Sequence, residues 1–140
     1  MKKIILLLLL INTFLVASSS DVEAKIYNSI LSAIFPTKSN IRVWVDQESK
    51  KNILNQIEKV QLVETPADAD ICLVLESKHL KTKKLMFVGS YSLLKHYKES
   101  TIGGFFWQKG RPNIMFLGTN LKKHHIELPT KFDRYIESEL

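Results

Sequence analysis

The sequence predicts a single-domain α/β protein, with a mainly parallel, mixed sheet, helices on both faces and a late β-hairpin. Three observations support this fold class. Strand-like runs alternate with segments of helical periodicity along most of the chain. The run 71–75 is apolar throughout, which is typical of a strand that is covered on both faces. Two later apolar runs flank a short polar turn, and 140 residues suffice for one domain.

The first elements of this domain are predicted to be a helix, a strand and a second helix. Apolar residues recur at helical spacing over 25–35, and Pro36 is expected to end that helix. Residues 41–45 alternate and are rich in β-branched side chains, which indicates a strand. Asp46 is expected to cap the helix that follows, over 47–59.

The middle of the chain predicts three strands and a helix. A short strand is expected at 61–64, a buried strand at 71–75 and a third strand at 84–88. Residues 89–97 then place apolar side chains on one side of a helix. Because helices and strands alternate here, parallel pairing of the strands is favoured.

The last part of the chain predicts a hairpin followed by helices. The runs 102–107 and 113–117 are strand-like, and the five-residue turn 108–112 between them favours a β-hairpin. One short helical turn with a Thr or Asn cap is expected at 119–120. A final helix is predicted over 129–139, with a proline in its first turn.

The N-terminal segment has the layout of a secretory signal peptide. Two lysines precede an apolar run over 4–17, and three serines follow it. A bilayer-spanning helix needs ~20 residues, so export is favoured over a retained membrane anchor. Cleavage is expected before Lys25, which makes 1–24 the signal peptide and 25–140 a periplasmic α/β domain. Cleavage after the second or third of the serines is the alternative.

Charge, cysteine content and composition limit the classes of protein. The net charge is +6, and it stays +6 without residues 1–24, since two basic and two acidic residues leave together. The single cysteine, Cys72, cannot form an internal disulfide, and its apolar run favours burial over an intermolecular bridge. Because 45% of the residues are hydrophobic and 24% are charged, a disordered polar chain is excluded.

A series of short motifs follows the predicted signal peptide. They are an aromatic-containing helix ending near a proline, a first strand, an Asp–apolar–Cys strand, a strand entering a glycine, glycines leading into an apolar hairpin, an Asn-containing turn and a C-terminal helix. These motifs lie at 26–36, 41–45, 69–75, 86–89, 103–107, 113–117, 120–121 and 129–139. In order and spacing, the series resembles the YfiR/HmsC-like family of periplasmic regulatory proteins.

The resemblance implies a non-enzymatic periplasmic protein. Such proteins hold the outer domain of an inner-membrane signalling enzyme, often a diguanylate cyclase that makes cyclic di-GMP, in an inactive state. The chain departs from the family in two places. Pro36 follows Phe35 directly, without the family's further aromatic residue, and the family's other cysteines are absent. Redox control through disulfides therefore does not carry over.

The residues themselves do not predict an enzyme, a metal site or a cofactor. The sequence contains no nucleophile elbow, phosphate loop or dinucleotide fingerprint. Adjacent His124 and His125 point apart, so they are expected to be solvated loop residues. A central apolar strand gives Cys72 neither a base nor an exposed thiolate. Asp68 and Asp70 are expected to separate elements rather than to form an acid–base couple.

Candidate partner-binding residues lie at the hairpin. In a strand, Phe105 and Trp107 share one face and Phe106 lies on the other. Exposed aromatic rings beside Lys109 and Arg111 are typical of a binding anchor. The predicted partner-binding residues are therefore Phe105, Trp107, Lys109 and Arg111. The alternative is that helices cover both faces and the rings belong to the core.

Two basic segments, 78–84 and 122–125, are expected to be solvated faces. Contact with a membrane surface or with an acidic protein partner is the alternative. Nucleic acid is not expected as a partner, because the segments lack accompanying stacking groups and export separates the chain from it. The sequence leaves a homodimer open.

These observations together predict an exported regulatory binding protein. It is expected to dock on the outer domain of an inner-membrane signalling protein, a diguanylate cyclase or a sensor kinase, and to modulate it. One alternative is a small-ligand-binding periplasmic protein that serves a transporter or sensor, which a deep pocket with convergent polar groups would favour. Another is an exported hydrolase, which would need perturbed acids or a His–acid pair in a cleft.

Overall fold

The alternating segments of the sequence form helices and strands in a computed structural model, which describes residues 20–138 and residue 140. Most of the predicted signal peptide, residues 1–19, lies outside the described residues. The elements are, in chain order, α1 (20–34), β1 (Ile41–Val45), α2 (Glu48–Asn55), β2 (Val60–Leu62), a first 3-10 helix (Pro66–Asp68), β3 (Ile71–Val74), β4 (Leu85–Val88), α3 (Tyr91–His96), β5 (Gly103–Gln108), β6 (Arg111–Leu117), α4 (Gly118–Lys123), a second 3-10 helix (Thr130–Tyr135) and β7 (Ile136–Glu137).

All of these strands join one seven-stranded sheet in the order β2-β1-β3-β4-β5-β6-β7. Strands β1 to β5 pair in parallel, β6 is antiparallel to β5, and β7 is parallel to β6. The predicted α/β domain is therefore confirmed, with its mainly parallel, mixed sheet and its late hairpin. Of the helices within residues 20–138, none combines the length and the apolar character that a bilayer crossing needs.

The alternation of side chains along the strands builds one apolar core on each face of the sheet. In β3, Ile71 and Leu73 point into the first core, while Cys72 and Val74 point into the second, and all four are buried. Helices α1 and α2 cover the first core, and α3 covers the second. Burial on both faces explains why this run is apolar at every position.

Helix α1 begins before the predicted signal cleavage point. Ala24 is only 8% exposed and packs in the first core. Glu23 forms an ion pair with Lys50 of α2, with 2.6 Å between carboxylate and ammonium. Cleavage before Lys25 would remove both contacts, whereas cleavage after Ser20 would keep them.

Asp46 does not cap the helix that follows it, which corrects the sequence-based expectation. Helix α2 begins after Gln47, whose side chain makes no capping hydrogen bond. The Asp46 carboxylate instead accepts hydrogen bonds from the backbone N–H groups of Leu75 (2.7 Å), Glu76 (3.1 Å) and Ser77 (2.8 Å). The Asp46 side chain thereby connects the carboxyl ends of β1 and β3. The strand order of the sheet reverses between these two strands, which is the place where doubly wound sheets form their ligand crevice.

The predicted final α-helix over 129–139 is a 3-10 helix followed by a strand. Strand β7 pairs with Phe116 and Leu117 of β6. Phe132 of the 3-10 helix packs edge-on against Phe116, with ring centroids 5.8 Å apart. Because the segment packs its apolar side chains onto the sheet and adds an edge strand, tertiary contacts override its helical periodicity.

Candidate functional site

The β5–β6 hairpin closes through a two-residue turn, Lys109–Gly110, rather than the predicted five-residue turn. Both turn residues have positive φ, 51° and 74°, which suits a type I′ turn and the twist of the flanking strands. The strand pairing continues to Gln108 and Arg111, and Pro112 lies opposite Trp107. The predicted turn over 108–112 was too long, because the polar residues and the proline at the paired ends of β5 and β6 resemble a loop in sequence.

The hairpin extends beyond the neighbouring strands of the sheet. Strand β4 pairs with β5 only at Gly103 and Gly104, and β7 pairs with β6 only at Phe116 and Leu117. Within the described part of the chain, residues 105–108 of β5 and residues 111–115 of β6 pair only within the hairpin. They form a two-stranded ribbon whose base belongs to the sheet and whose far end projects from it.

The two aromatic residues on one face of this ribbon have different environments. Phe105 is 2% exposed and meets Tyr27 of α1 edge-on, with ring centroids 5.2 Å apart. Trp107 is 44% exposed, and its ring centroid lies 5.9 Å from that of Phe105. Phe105 therefore belongs to the core, which corrects the prediction that it contacts a partner directly. Trp107 rests on Phe105 and leaves much of its own ring in water.

The other face of the ribbon is directed toward α3. Phe106 is half-buried there, with its ring centroid 6.2 Å from that of Tyr91. Tyr91 is itself 47% exposed, and the Lys95 ammonium lies 5.8 Å from its ring centroid. Tyr91 is thus a second exposed aromatic residue, similar to Trp107 in exposure but located on a helix away from the turn.

Two cationic side chains accompany Trp107 at the end of the ribbon. Lys109 and Arg111 are exposed, and neither forms an ion pair with an acidic residue of the described chain. With Gln108 and Asn113 they line a groove of about 450 Å³. The hairpin tip, defined here as Trp107, Lys109 and Arg111, therefore presents an apolar ring on one face of the ribbon and, at the turn and on the other face, two positive charges that form no ion pair with described residues. This combination suits an acidic surface with an apolar pocket.

The basic segment 78–84 is a loop held against α3. The Tyr97 hydroxyl donates a hydrogen bond to the Ser77 carbonyl (2.7 Å) and accepts one from the Leu80 N–H (3.1 Å). His96 Nε2 donates to a carbonyl of the loop at 2.8 Å. All four lysines of the segment are exposed. The helical periodicity identified Tyr97 only as an apolar position, because such a pattern carries no information on where a hydroxyl points.

The other candidate chemical groups take part in separate contacts. The adjacent histidines 124–125 are exposed at the end of α4. Asp68 accepts a hydrogen bond from the Thr65 hydroxyl (2.8 Å), while Asp70 forms an ion pair with Arg42 (3.1 Å). In residues 20–138, no group of three or more His, Cys, Asp or Glu side chains is placed to hold a metal ion.

Asn120 has a role that the sequence did not indicate. It does not cap a helix, because α4 begins after Leu117 without a side-chain cap. Its buried amide donates to the carbonyls of Lys98 (2.8 Å) and Thr101 (2.6 Å). Asn120 thereby ties α4 to the segment between α3 and β5. Both partners are about twenty residues away in sequence, so no local pattern could identify them.

Cys72 is expected to resist thiol reagents in the folded protein. It is fully buried, and burial raises the pKa of its thiol to about 11 although the nearby Lys84 ammonium acts in the opposite direction. We expect 5,5′-dithiobis(2-nitrobenzoate) to react at least about 100-fold more slowly with the native protein than with the chain in guanidinium chloride. Equal rates in the two conditions would contradict the buried position of this thiol.

Comparison of the chain with protein-family models, with curated proteins and with solved structures finds no match. The described residues offer one projecting element with an exposed aromatic ring and free cations, the hairpin tip. They also offer one largely apolar groove, between α1 and the second 3-10 helix.

Proposed function

We propose that the protein is an exported regulatory binding protein of the periplasm. It docks on the outer domain of an inner-membrane signalling protein, a diguanylate cyclase or a sensor kinase, and modulates that protein's activity. The observation that carries this proposal is the hairpin tip, where Trp107, Lys109 and Arg111 are exposed together at the end of a projecting ribbon. The signal-peptide layout supports the compartment, and the resemblance to the YfiR/HmsC-like family supports the class of partner.

The physical chemistry of the tip favours docking. Burial of the exposed part of the Trp107 ring against a partner would gain about 25 cal/mol for each Å² of apolar surface removed from water. Lys109 lies in the two-residue turn, and Arg111 pairs with Gln108 on the face of the ribbon opposite to the Trp107 ring, so the cations flank the ring rather than lie against it. Tryptophan and arginine are also the residue types that most often dominate interface energies. The two cations favour an acidic patch on the partner.

We expect Trp107→Ala to weaken partner binding by about 30-fold or more while the chain stays folded, since truncation of a hot-spot residue costs about 2 kcal/mol or more. Tagged wild-type and variant proteins are incubated with the solubilised envelope fraction of the native cell. The supporting result is capture by the wild type of a membrane cyclase or sensor kinase that has an outer domain. The affinity of that purified outer domain is then measured for each variant.

Tyr91→Ala is the matched control, because Tyr91 is 47% exposed and Trp107 is 44% exposed. This control is expected to retain wild-type affinity. A double change, Lys109→Glu with Arg111→Glu, should slow association and reduce its salt dependence. Equal affinity of the Trp107 variant and the wild type would refute the proposal, and so would an equal loss in the Tyr91 variant.

One observation favours the alternative of a small-ligand-binding protein, namely the apolar groove between α1 and the second 3-10 helix. Its lining residues are distinct from those of the hairpin tip. Docking and ligand binding are therefore testable with separate variants.

A further inference from the structure

The apolar groove lies between α1 and the second 3-10 helix, with a residue of β6 in its lining, and has a volume of about 370 Å³. Ile30 and Phe132 in its floor are buried, and Ile26, Ile114 and Tyr135 are half-buried. The volume lies within the ordinary range of small-molecule sites. Because this floor offers water few hydrogen bonds, an apolar chain is the occupant that gains most from entering it.

Among the described residues, three cationic side chains and no acidic side chain line the rim of this groove. They are Lys25 from α1 and Lys131 and Arg134 from the 3-10 helix. The Lys131 ammonium lies 5.3 Å from the Phe132 ring centroid, and the Arg134 guanidinium lies 4.8 Å from that of Tyr135. Arg134 also donates a hydrogen bond to the Tyr135 hydroxyl at 2.7 Å. The aromatic rings of the lining thus hold two of the cations at the mouth of the groove.

The three cations of this rim form no ion pair with the other described residues. Within the described residues, the ion pairs involve other lysines and arginines, and none includes Lys25, Lys131 or Arg134. An apolar floor beneath a cationic rim is complementary to a molecule with an apolar chain and an anionic head. Because the surface is concave, it fits one chain better than it fits the surface of a bilayer.

We infer that the apolar groove binds one free long-chain carboxylate. The chain lies along Ile30, Ile114 and Phe132, and the carboxylate meets Lys131 and Arg134. This inference rests on the groove alone and is independent of docking through the hairpin tip. The Trp107→Ala variant is therefore expected to bind the carboxylate as the wild type does.

The test is calorimetric titration of the purified protein with dodecanoate below its micellar concentration. We expect one dodecanoate for each chain. Dodecanol, which lacks the charge, should bind at least about tenfold more weakly, since a charge-assisted contact is lost. Acetate, which lacks the chain, should give no binding heat. The double change Lys131→Glu with Arg134→Glu should weaken dodecanoate binding by about tenfold or more and leave dodecanol binding unchanged.

Lys122→Glu with Lys123→Glu is the control, since it makes the same charge change on the exposed face of α4. A second variant, Ile26→Ser on the half-buried edge of the floor, should weaken both dodecanoate and dodecanol. Absence of binding heat with dodecanoate would overturn the inference, as would an equal loss in the α4 control. Binding only to phosphatidylglycerol vesicles, and not to monomeric dodecanoate, would also overturn it and would indicate a membrane-docking face.

Discussion

Phe105→Ala is expected to lower the free energy of unfolding by about 3–5 kcal/mol. The ring of Phe105 is 2% exposed and packs edge-on against Tyr27, so its removal leaves a cavity between α1 and the sheet. Trp107→Ala, two residues further along the same face, is expected to cost less than about 1 kcal/mol, because this ring is 44% exposed. The two changes therefore separate the core from the hairpin tip on one strand.

Urea unfolding followed by far-ultraviolet circular dichroism measures both free energies, and Trp44 remains as a fluorescent probe in the Trp107 variant. A loss of several kcal/mol in both variants would show that Trp107 belongs to the core. The projecting ribbon would then be a structural element rather than a docking element. A small loss in the Phe105 variant would show that α1 does not pack closely on the hairpin.

Asp46→Ala is expected to lower the free energy of unfolding by about 2–3 kcal/mol. The carboxylate accepts three backbone N–H groups from the loop after β3, at 2.7–3.1 Å, and alanine leaves all three without that acceptor. Because the loop is partly open to solvent, water replaces some of these bonds, and the loss is smaller than the sum of three charge-assisted hydrogen bonds.

Asp46→Asn keeps one acceptor oxygen and should show about half of this loss. Asp68→Ala is the control, since the exposed Asp68 carboxylate accepts one hydrogen bond, from the Thr65 hydroxyl. Denaturant unfolding of the three variants gives the comparison. If Asp46→Ala and Asp68→Ala lowered the free energy of unfolding by the same small amount, the hydrogen bonds of Asp46 between the ends of β1 and β3 would not stabilise the fold.

The sequence predicted those parts of the fold that depend on local patterns. The apolar run of β3 identified a strand buried on both faces, and alternation identified β1 at its observed bounds. The final helix over 129–139 was predicted wrongly, because its periodicity is the same whether the segment continues as a helix or adds β7 to an edge. Only the pairing of Ile136 with Phe116, which is a distant contact, distinguishes the two.

The candidate site also depends on contacts between residues that are distant in sequence, which local patterns do not predict. The sequence placed Phe105 and Trp107 on one face, but their different exposure depends on how far α1 reaches along the ribbon. The apolar groove combines residues near positions 25–30, 114 and 131–135, which come together only in the folded chain. Asp46 and Asn120 were assigned to local caps, and both bind backbone groups far away in sequence.

The order of the strands has a consequence for how the protein assembles. Each strand after β1 has, as one neighbour, a strand that precedes it in the chain: β2 and β3 flank β1, and β4 to β7 each join the preceding strand. A polypeptide that emerges with its N-terminus first, from a ribosome or from a translocation channel, can therefore add every new strand to an edge that already exists. No strand has to wait for a later one, so few unmatched edges are exposed to aggregation while synthesis or transport is still under way.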